Sequence, residues 1–175
     1  MAAAQLDALL HQIHRLAAPT GPGPRSDREL LEDFNARRDE AAFAALLSRH
    51  GPMVLRVCRR ALGNHHDAED AFQATFLVLA QHGSSIRKRE ALAGWLHGVA
   101  YRIAMKAKRA AARRRQHEAR VTPPVPQAEA SLTWVEVQVA LDEELQRLPD
   151  RFRSAFVLCA LEGRSGPEAA AELGC

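Results

Sequence analysis

Alanine is the most informative residue type in this 175-residue chain, because 33 alanines stand against only 17 valines, isoleucines and threonines combined. Alanine has the highest helix propensity, whereas β-branched residues favour strands. A content of 47% hydrophobic and 26% charged residues is typical of a folded protein and too apolar for a disordered one. The sequence therefore predicts an all-α fold.

Positive charge is concentrated in one segment. Residues 86–120 contain eleven Lys or Arg and two acidic residues, a local charge of +9, which leaves −6 for the rest of a chain whose net charge is +3. Clustered cations release counterions from phosphates, so this distribution is typical of nucleic-acid binding. A solvated helix face is the alternative, but such a face usually mixes both signs.

Apolar residues recur every three or four positions, which predicts a series of amphipathic helices. Their predicted positions are 5–16, a helix after the capping-box pair Ser26 and Glu29, a helix capped by Asp39, and 53–62, 67–81, 92–117, 132–148, 151–162 and 167–173. We expect Gly51-Pro52 to end or kink the Asp39 helix and residues 82–90 to form a loop. Proline-rich stretches at 20–25 and 121–130 predict linkers.

The basic segment lies mainly on the longest predicted helix, 92–117. Trp95, Arg102 and Arg109 are seven residues apart and so return to nearly the same azimuth. An aromatic surface followed by cations suits an unstacked base and its phosphates, although Trp95 and Tyr101 could also belong to the core. The candidate DNA-binding residues are Arg87, Lys88, Arg89, Trp95, Tyr101, Arg102, Lys106, Arg109 and Arg113.

The preceding predicted helix, 67–81, carries an acidic and polar face. It consists of Asp67, Glu69, Asp70, Gln73 and Leu77. Acidic residues complement the helix dipole in a first turn, so capping alone could explain them. The functional alternative is a docking face for a basic partner helix, and spacing alone does not decide between the two.

Sequence signals of an enzyme, a metal site and a membrane protein are missing. Eight histidines and three cysteines include no Cys-x-x-Cys or His-x-x-x-His pair. There is no glycine-rich phosphate loop or nucleophile elbow, and the longest apolar run, 155–161, is far shorter than a bilayer span. We expect no catalysis, cofactor, metal or membrane insertion, and scattered cysteines favour reduced thiols in the cytoplasm.

Two motifs occur in order around the second linker. The first is DAEDAFQATFLVLA at 67–80, followed after a short polar loop by GWLHGVAYRIA at 94–104. The second is LQRLPDRFRSAFVLC at 145–159, followed by EAAAELGC at 168–175. Together they resemble regions two and four of the extracytoplasmic-function (ECF) sigma factors of RNA polymerase. DEAAF at 39–43 and RHGPMVL at 49–55 are similar to planctomycete-type members, and the resemblance covers about residues 26–175.

The resemblance implies a domain organisation. Residues 1–25 would form an N-terminal helix and linker, 26–120 the helical bundle of region two, 121–131 a proline-rich linker, and 132–175 a partial region four. Region two would dock on the clamp helices of the polymerase β′ subunit through the helix carrying Asp67, Asp70, Gln73 and Leu77.

The resemblance also implies how promoter DNA is bound. The loop after the docking helix and the Trp95 helix would capture the non-template strand of the −10 element and hold a flipped base, while Arg102, Lys106 and Arg109 bind phosphates. Many members have asparagine where this chain has Arg102, so no base preference is carried over. An anti-sigma factor is a further candidate partner.

Region four is expected to be incomplete. Residues 167–173 match the supporting helix of a helix-turn-helix, and the recognition helix for the −35 element would be absent, through truncation or because the chain is a fragment. Ala169, Ala170 and Leu173 would then be exposed and the tail beyond Glu162 would fray. A transcriptionally inactive paralogue that binds only polymerase or a partner protein is therefore the alternative to an initiation factor.

Overall fold

The computed structural model describes residues 25–118 and 134–175, and every regular element in these two ranges is helical. The helices are α1 (Asp27–Arg37), α2 (Glu40–Leu62), α3 (His65–His82), α4 (Leu92–Glu118), α5 (Trp134–Arg147), α6 (Asp150–Phe156) and α7 (Gly166–Leu173). Short 3₁₀ turns, Gly83–Ser85 and Arg89–Ala91, separate α3 from α4, and a π-helical turn, Val157–Leu161, follows α6. The all-α prediction is confirmed. The predicted helix at 5–16 and the prolines of the 121–131 linker lie outside the described residues.

Both predicted capping residues, Ser26 and Asp39, are observed at helix starts. The Ser26 side chain accepts from the Glu29 backbone while the Glu29 carboxylate accepts from the Ser26 N–H at 2.8 Å, which completes the capping box of α1. Asp39 caps α2. α3 begins two residues earlier than predicted, because Asn64 caps it through its side-chain oxygen.

α2 continues through Gly51-Pro52, so the predicted helix end at this pair is wrong. A proline inside a helix costs about 3 kcal/mol because it removes a hydrogen bond and crowds the preceding turn. The flanking residues Leu46, Met53, Val54 and Val57 are buried in the core. Their packing outweighs the proline penalty, and the helix ends instead at Gly63, whose φ of 66° is a left-handed conformation that suits glycine.

Residues 82–90 are more ordered than the predicted loop. α3 extends through His82 and is followed at once by the first 3₁₀ turn. Gly83 and Ile86 are buried, and a Cβ atom added at Gly83 would lie 3.2 Å from the Leu31 side chain. The segment is therefore packed closely against α1.

The core lies between α1, α2, α3 and α4. Phenylalanine rings form part of it, with centroids 4.8 Å apart for Phe34 and Phe43 and 5.1 Å apart for Phe72 and Phe76. Cys58 is buried in this core, and burial raises the pKa of its thiol to about 12. Within the described residues, no helix combines the length and apolar character that a bilayer span requires.

Residues 134–175 pack on the same core. Val157 and Leu158 are fully buried with the core residues of the first half, and Ala169 on α7 is 3% exposed. The Glu172 carboxylate accepts a hydrogen bond from the Asp27 backbone N–H at the start of α1. The expected exposure of Ala169 is therefore wrong, because α7 packs on the Arg89–Ala91 turn of the first half, and fraying of the tail stays a prediction.

Candidate nucleic-acid interface

α4 presents the four predicted cations beyond Trp95 to solvent. Arg102, Lys106, Arg109 and Arg113 are all exposed. Their spacing of three and four residues puts them along one side of the helix. We call these four exposed residues the basic stripe.

The two aromatic candidates on α4 differ in exposure. Trp95 is half-buried against the core, so part of its ring remains accessible. Tyr101 is 9% exposed and so belongs to the core. The sequence left open whether Tyr101 is a DNA-binding residue or a core residue. Burial raises the pKa of Tyr101, and the nearby carboxylates of Glu143 and Asp142 raise it further.

Two of the basic residues before α4, Arg87 and Arg89, border a small pocket. Arg87 and Lys88 are exposed, whereas Arg89 donates to Glu32 of α1 at 2.8 Å. The pocket has a volume of about 330 Å³ and is open to solvent. Its lining residues are Arg28, Glu32, Ser84, Ser85, Ile86, Arg87, Arg89 and Glu90.

Arg28 and Glu32 are pocket residues that sequence reasoning missed. Glu32 accepts from both Arg89 and Arg28, and these hydrogen bonds lower the pKa of its carboxyl group. Glu32 and Arg89 are 57 residues apart. No periodicity in the sequence connects them, so only the fold reveals the pair.

The predicted acidic face of α3 divides into a buried and an exposed part. Glu69 is 7% exposed, and its carboxylate lies 3.2 Å from His65 Nδ1. Its side chain therefore faces the protein, and the prediction that Glu69 belongs to the docking surface is wrong. Asp70 and Gln73 are exposed, and Asp67 is half-buried. Leu77, 57% exposed, lies on the same side of α3 as Asp70 and Gln73.

Single exposed apolar residues are common at protein surfaces, so Leu77 alone does not mark a docking surface. The helix-dipole explanation still applies to Asp67, which is in the first turn of α3, but not to Asp70, which lies beyond that turn. We call the four residues Asp67, Asp70, Gln73 and Leu77 the α3 surface.

A buried histidine connects the two halves of the chain. His50 Nε2 lies 2.8 Å from Asp27 Oδ2, and its Nδ1 lies 2.7 Å from Glu162 Oε1. Each ring nitrogen of His50 thus faces a carboxylate oxygen, an arrangement that favours the imidazolium, which donates from both nitrogens. Burial alone would lower the pKa of His50, but these two carboxylates raise it to about 10. Burial raises the pKa of Asp27, and the stronger combined effect of His50 and Arg49 brings it down to about 2.

A second polar cluster joins α5 to α2 and α4. The buried Asp142 carboxylate accepts from Arg60 at 2.8 Å and contacts His97 Nε2 at 3.0 Å. Gln146 Nε2 lies 3.1 Å from His97 Nδ1, so both nitrogens of this ring have a partner. Neither cluster was predicted, because the contacts described here join residues that are 23 to 112 positions apart in sequence.

Comparison with known proteins identifies the family. The Sigma-70 region 2 family matches residues 46–114. The chain is 33% identical over 153 residues to the ECF RNA polymerase sigma factor SigE of Mycolicibacterium smegmatis, an alignment that covers 81% of this chain and 58% of SigE. It is 32% identical over 158 residues to the ECF RNA polymerase sigma factor SigM of Mycobacterium tuberculosis, covering 88% of this chain and 76% of SigM. The chain belongs to the ECF RNA polymerase sigma factors.

The region two match of this ECF sigma factor contains both candidate surfaces. The α3 surface and the basic stripe lie between residues 67 and 113, inside the matched range of 46–114. The chain spans less than two thirds of the length of SigE. The planctomycete-type assignment stays a prediction. In the part of the chain that the structure describes, no group of three His, Cys, Asp or Glu side chains is arranged to hold a metal ion.

Proposed function

We propose that this ECF sigma factor binds core RNA polymerase and directs it to promoters by recognising and melting the −10 element. The observation that carries the proposal is the basic stripe, which runs along α4 from the partly accessible Trp95. Single-stranded DNA binding requires an aromatic surface next to a track of cations. The proposal assigns the chain no catalysis, cofactor or metal.

In this proposal α4 and the residues before it hold the non-template strand. The basic stripe neutralises phosphates, which supplies affinity without sequence information. Trp95 supports an unstacked base, and the pocket beside Arg87 receives a flipped one. Arg87 and Lys88 extend the positive track towards α4, whereas Arg89 shapes the pocket through its ion pair with Glu32.

The α3 surface is the proposed contact with the polymerase clamp helices. Asp67 and Asp70 supply negative charge for a basic partner, and Leu77 supplies apolar area. Region two would occupy residues 26–120 and a partial region four residues 132–175, joined by the 121–131 linker. The proteins and DNA in this proposal meet in the bacterial cytoplasm, where an anti-sigma factor would be a further partner.

Run-off transcription tests the proposal. The full chain is added to core RNA polymerase with a library of promoter sequences, and core polymerase alone is the control. We expect discrete transcripts that require the chain and share a −10 sequence. Binding to core without any such transcript would support the alternative, an inactive paralogue that only binds polymerase or a partner protein.

A further inference from the structure

α5 carries large apolar side chains on its outer side. The described part of the chain leaves four of them exposed, namely Trp134, Val137, Leu141 and Leu148. The first three are separated by intervals of three and four residues, which puts them within about 60° on one side of the helix, and Leu148 directly follows its last residue. Scattered exposed apolar residues are common, whereas an apolar side of one helix is typical of an interaction site. We call these four residues the α5 stripe.

α5 is attached to the rest of the protein by a different side. The Asp142 carboxylate accepts from Arg60 of α2 at 2.8 Å and contacts His97 of α4 at 3.0 Å, and Leu145 is buried. These contacts fix the rotation of the helix, so the α5 stripe stays directed outward. Trp134 is 72% exposed. An amphipathic helix is most stable with its apolar side covered, so the α5 stripe is available to a partner.

The beginning of the sequence has a matching apolar pattern. The predicted helix at 5–16, which lies outside the described residues, is here called the N-terminal segment. At helical spacing its large apolar residues share one side, and they are Leu6, Leu9, Leu10, Ile13 and Leu16. The charged residues Asp7 and Arg15 fall outside that side. An isolated helix of about 12 residues is marginal in water, so the N-terminal segment requires an apolar surface to be stably helical.

The two patterns agree in length and period. The N-terminal segment runs about 15 Å from its first to its last leucine, and the α5 stripe about 10 Å from Trp134 to Leu141, with Leu148 beyond. Both use intervals of three and four residues, the spacing with which paired helices interlock. The other stretch outside the described residues, 119–133, is a poorer match because three prolines interrupt any helical pattern there.

The start of α1 lies within reach of α5. Asp27 contacts His50 of α2 at 2.8 Å, and Asp142 of α5 contacts Arg60 of the same helix. His50 and Arg60 are ten residues apart, which corresponds to about 15 Å along α2. The eleven steps from the end of the N-terminal segment to Asp27 can extend to about 35 Å. The connection is therefore long enough for the N-terminal segment to lie on the α5 stripe.

We propose that the N-terminal segment packs on the α5 stripe as a helix and so fastens α5 to the beginning of the chain. Leucine and isoleucine side chains then cover the indole ring of Trp134 and the side chains of Val137 and Leu141. The driving force is the removal of both apolar sides from water. Neither side has an apolar partner of its own within residues 25–118 and 134–175.

Fluorescence of the tryptophan in the α5 stripe tests this contact in the full chain. The sequence has two tryptophans, so Trp95→Phe leaves the one in the α5 stripe as the sole emitter. In that background, Leu9→Glu combined with Ile13→Glu puts charge on the apolar side of the N-terminal segment. Ala8→Glu combined with His11→Glu is the matched control, because both positions fall outside that side. Emission wavelength and quenching by acrylamide report the exposure of the ring.

We expect a blue-shifted emission that is protected from acrylamide in the parent and in the control, and loss of both in Leu9→Glu/Ile13→Glu. Emission of an exposed tryptophan in the parent would overturn the proposal. Protection that survives Leu9→Glu/Ile13→Glu would also overturn it, because another occupant then covers the α5 stripe. Dependence of that protection on protein concentration would identify a second copy of the chain, and protection seen only with core RNA polymerase would identify a polymerase subunit.

Hydrogen exchange of the chain with both tryptophans is a second measurement, which does not depend on the folding of Trp95→Phe. We expect slow exchange at residues 5–16. Val137→Ser combined with Leu141→Ser should raise it to the rate of an unstructured peptide, whereas Leu77→Ser, at an exposed leucine of α3, should not. Fast exchange at residues 5–16 in the unsubstituted chain, or slow exchange that Val137→Ser/Leu141→Ser leaves unchanged, would overturn the proposal.

Discussion

His50 Nδ1 lies 2.7 Å from Glu162 Oε1, although 112 residues separate the two in sequence. The pair joins α2 to the residue that follows the π-helical turn, and Asp27 of α1 completes the cluster from the other side of the ring. A cation buried between two carboxylates couples the stability of the fold to pH in two separate windows.

The first prediction concerns alkaline pH. The raised pKa of His50 means that its contribution is complete below about pH 6.5 and is lost as pH rises through about 10. His50→Gln should lower the free energy of unfolding by about 3 to 5 kcal/mol near neutral pH, the cost of breaking a buried pair. Urea unfolding followed by circular dichroism should show this difference shrinking towards pH 10. His66→Gln, at an exposed position, is the control, and a difference independent of pH would contradict the charged ring.

The second prediction concerns acid. The pKa of Asp27 is lowered from 3.8 to about 2, so its contribution is present above pH 3.8 and is lost as pH falls through 2. Asp27→Asn should lower the free energy of unfolding by about 2 kcal/mol near neutral pH and by progressively less in acid. Asp33→Asn, at a more exposed carboxylate of the same helix, should change little. Equal losses in the two variants would show that burial of Asp27 has no energetic consequence.

The third prediction concerns polymerase binding. Asp67→Lys combined with Asp70→Lys, or Leu77→Glu alone, should abolish co-purification with core polymerase without changing the circular dichroism spectrum. Glu144→Lys, an exposed charge reversal on α5, is the matched control and should retain binding. Full binding by both α3 variants would contradict the docking role of the α3 surface and leave only Asp67 with a helix-dipole role.

The fourth prediction concerns the basic stripe. Alanine at Arg102, Lys106, Arg109 or Arg113 should make the slope of log affinity against log salt shallower by roughly 0.7 to 0.9 for holoenzyme on promoter DNA. Each variant neutralises about one phosphate fewer, so about one counterion fewer is released from the DNA on binding. Arg147→Ala, an exposed arginine paired with Glu144, should leave the slope unchanged. If all four stripe variants keep the wild-type slope, these residues are a solvated helix face.

Local features of the fold could be predicted from the sequence, and long-range features could not. The capping box at Ser26 and the period of α4 depend on residues three or four apart, so they are visible in the chain itself. The interior position of Glu69 beside the exposed Asp70 depends on how α3 is rotated against its neighbours. The Asp142 and His50 clusters depend on packing between halves, for which a single sequence gives no signal.

The burial of Cys58 determines which cysteines of this protein a fluorescent dye can label. Only thiolates react with maleimides at a useful rate, and a pKa of about 12 leaves Cys58 almost wholly protonated near neutral pH. Cys159 and Cys175 are exposed. A dye added to the unmodified chain therefore attaches at Cys159 and Cys175, and its fluorescence reports on the segment after α6 without a single mutation.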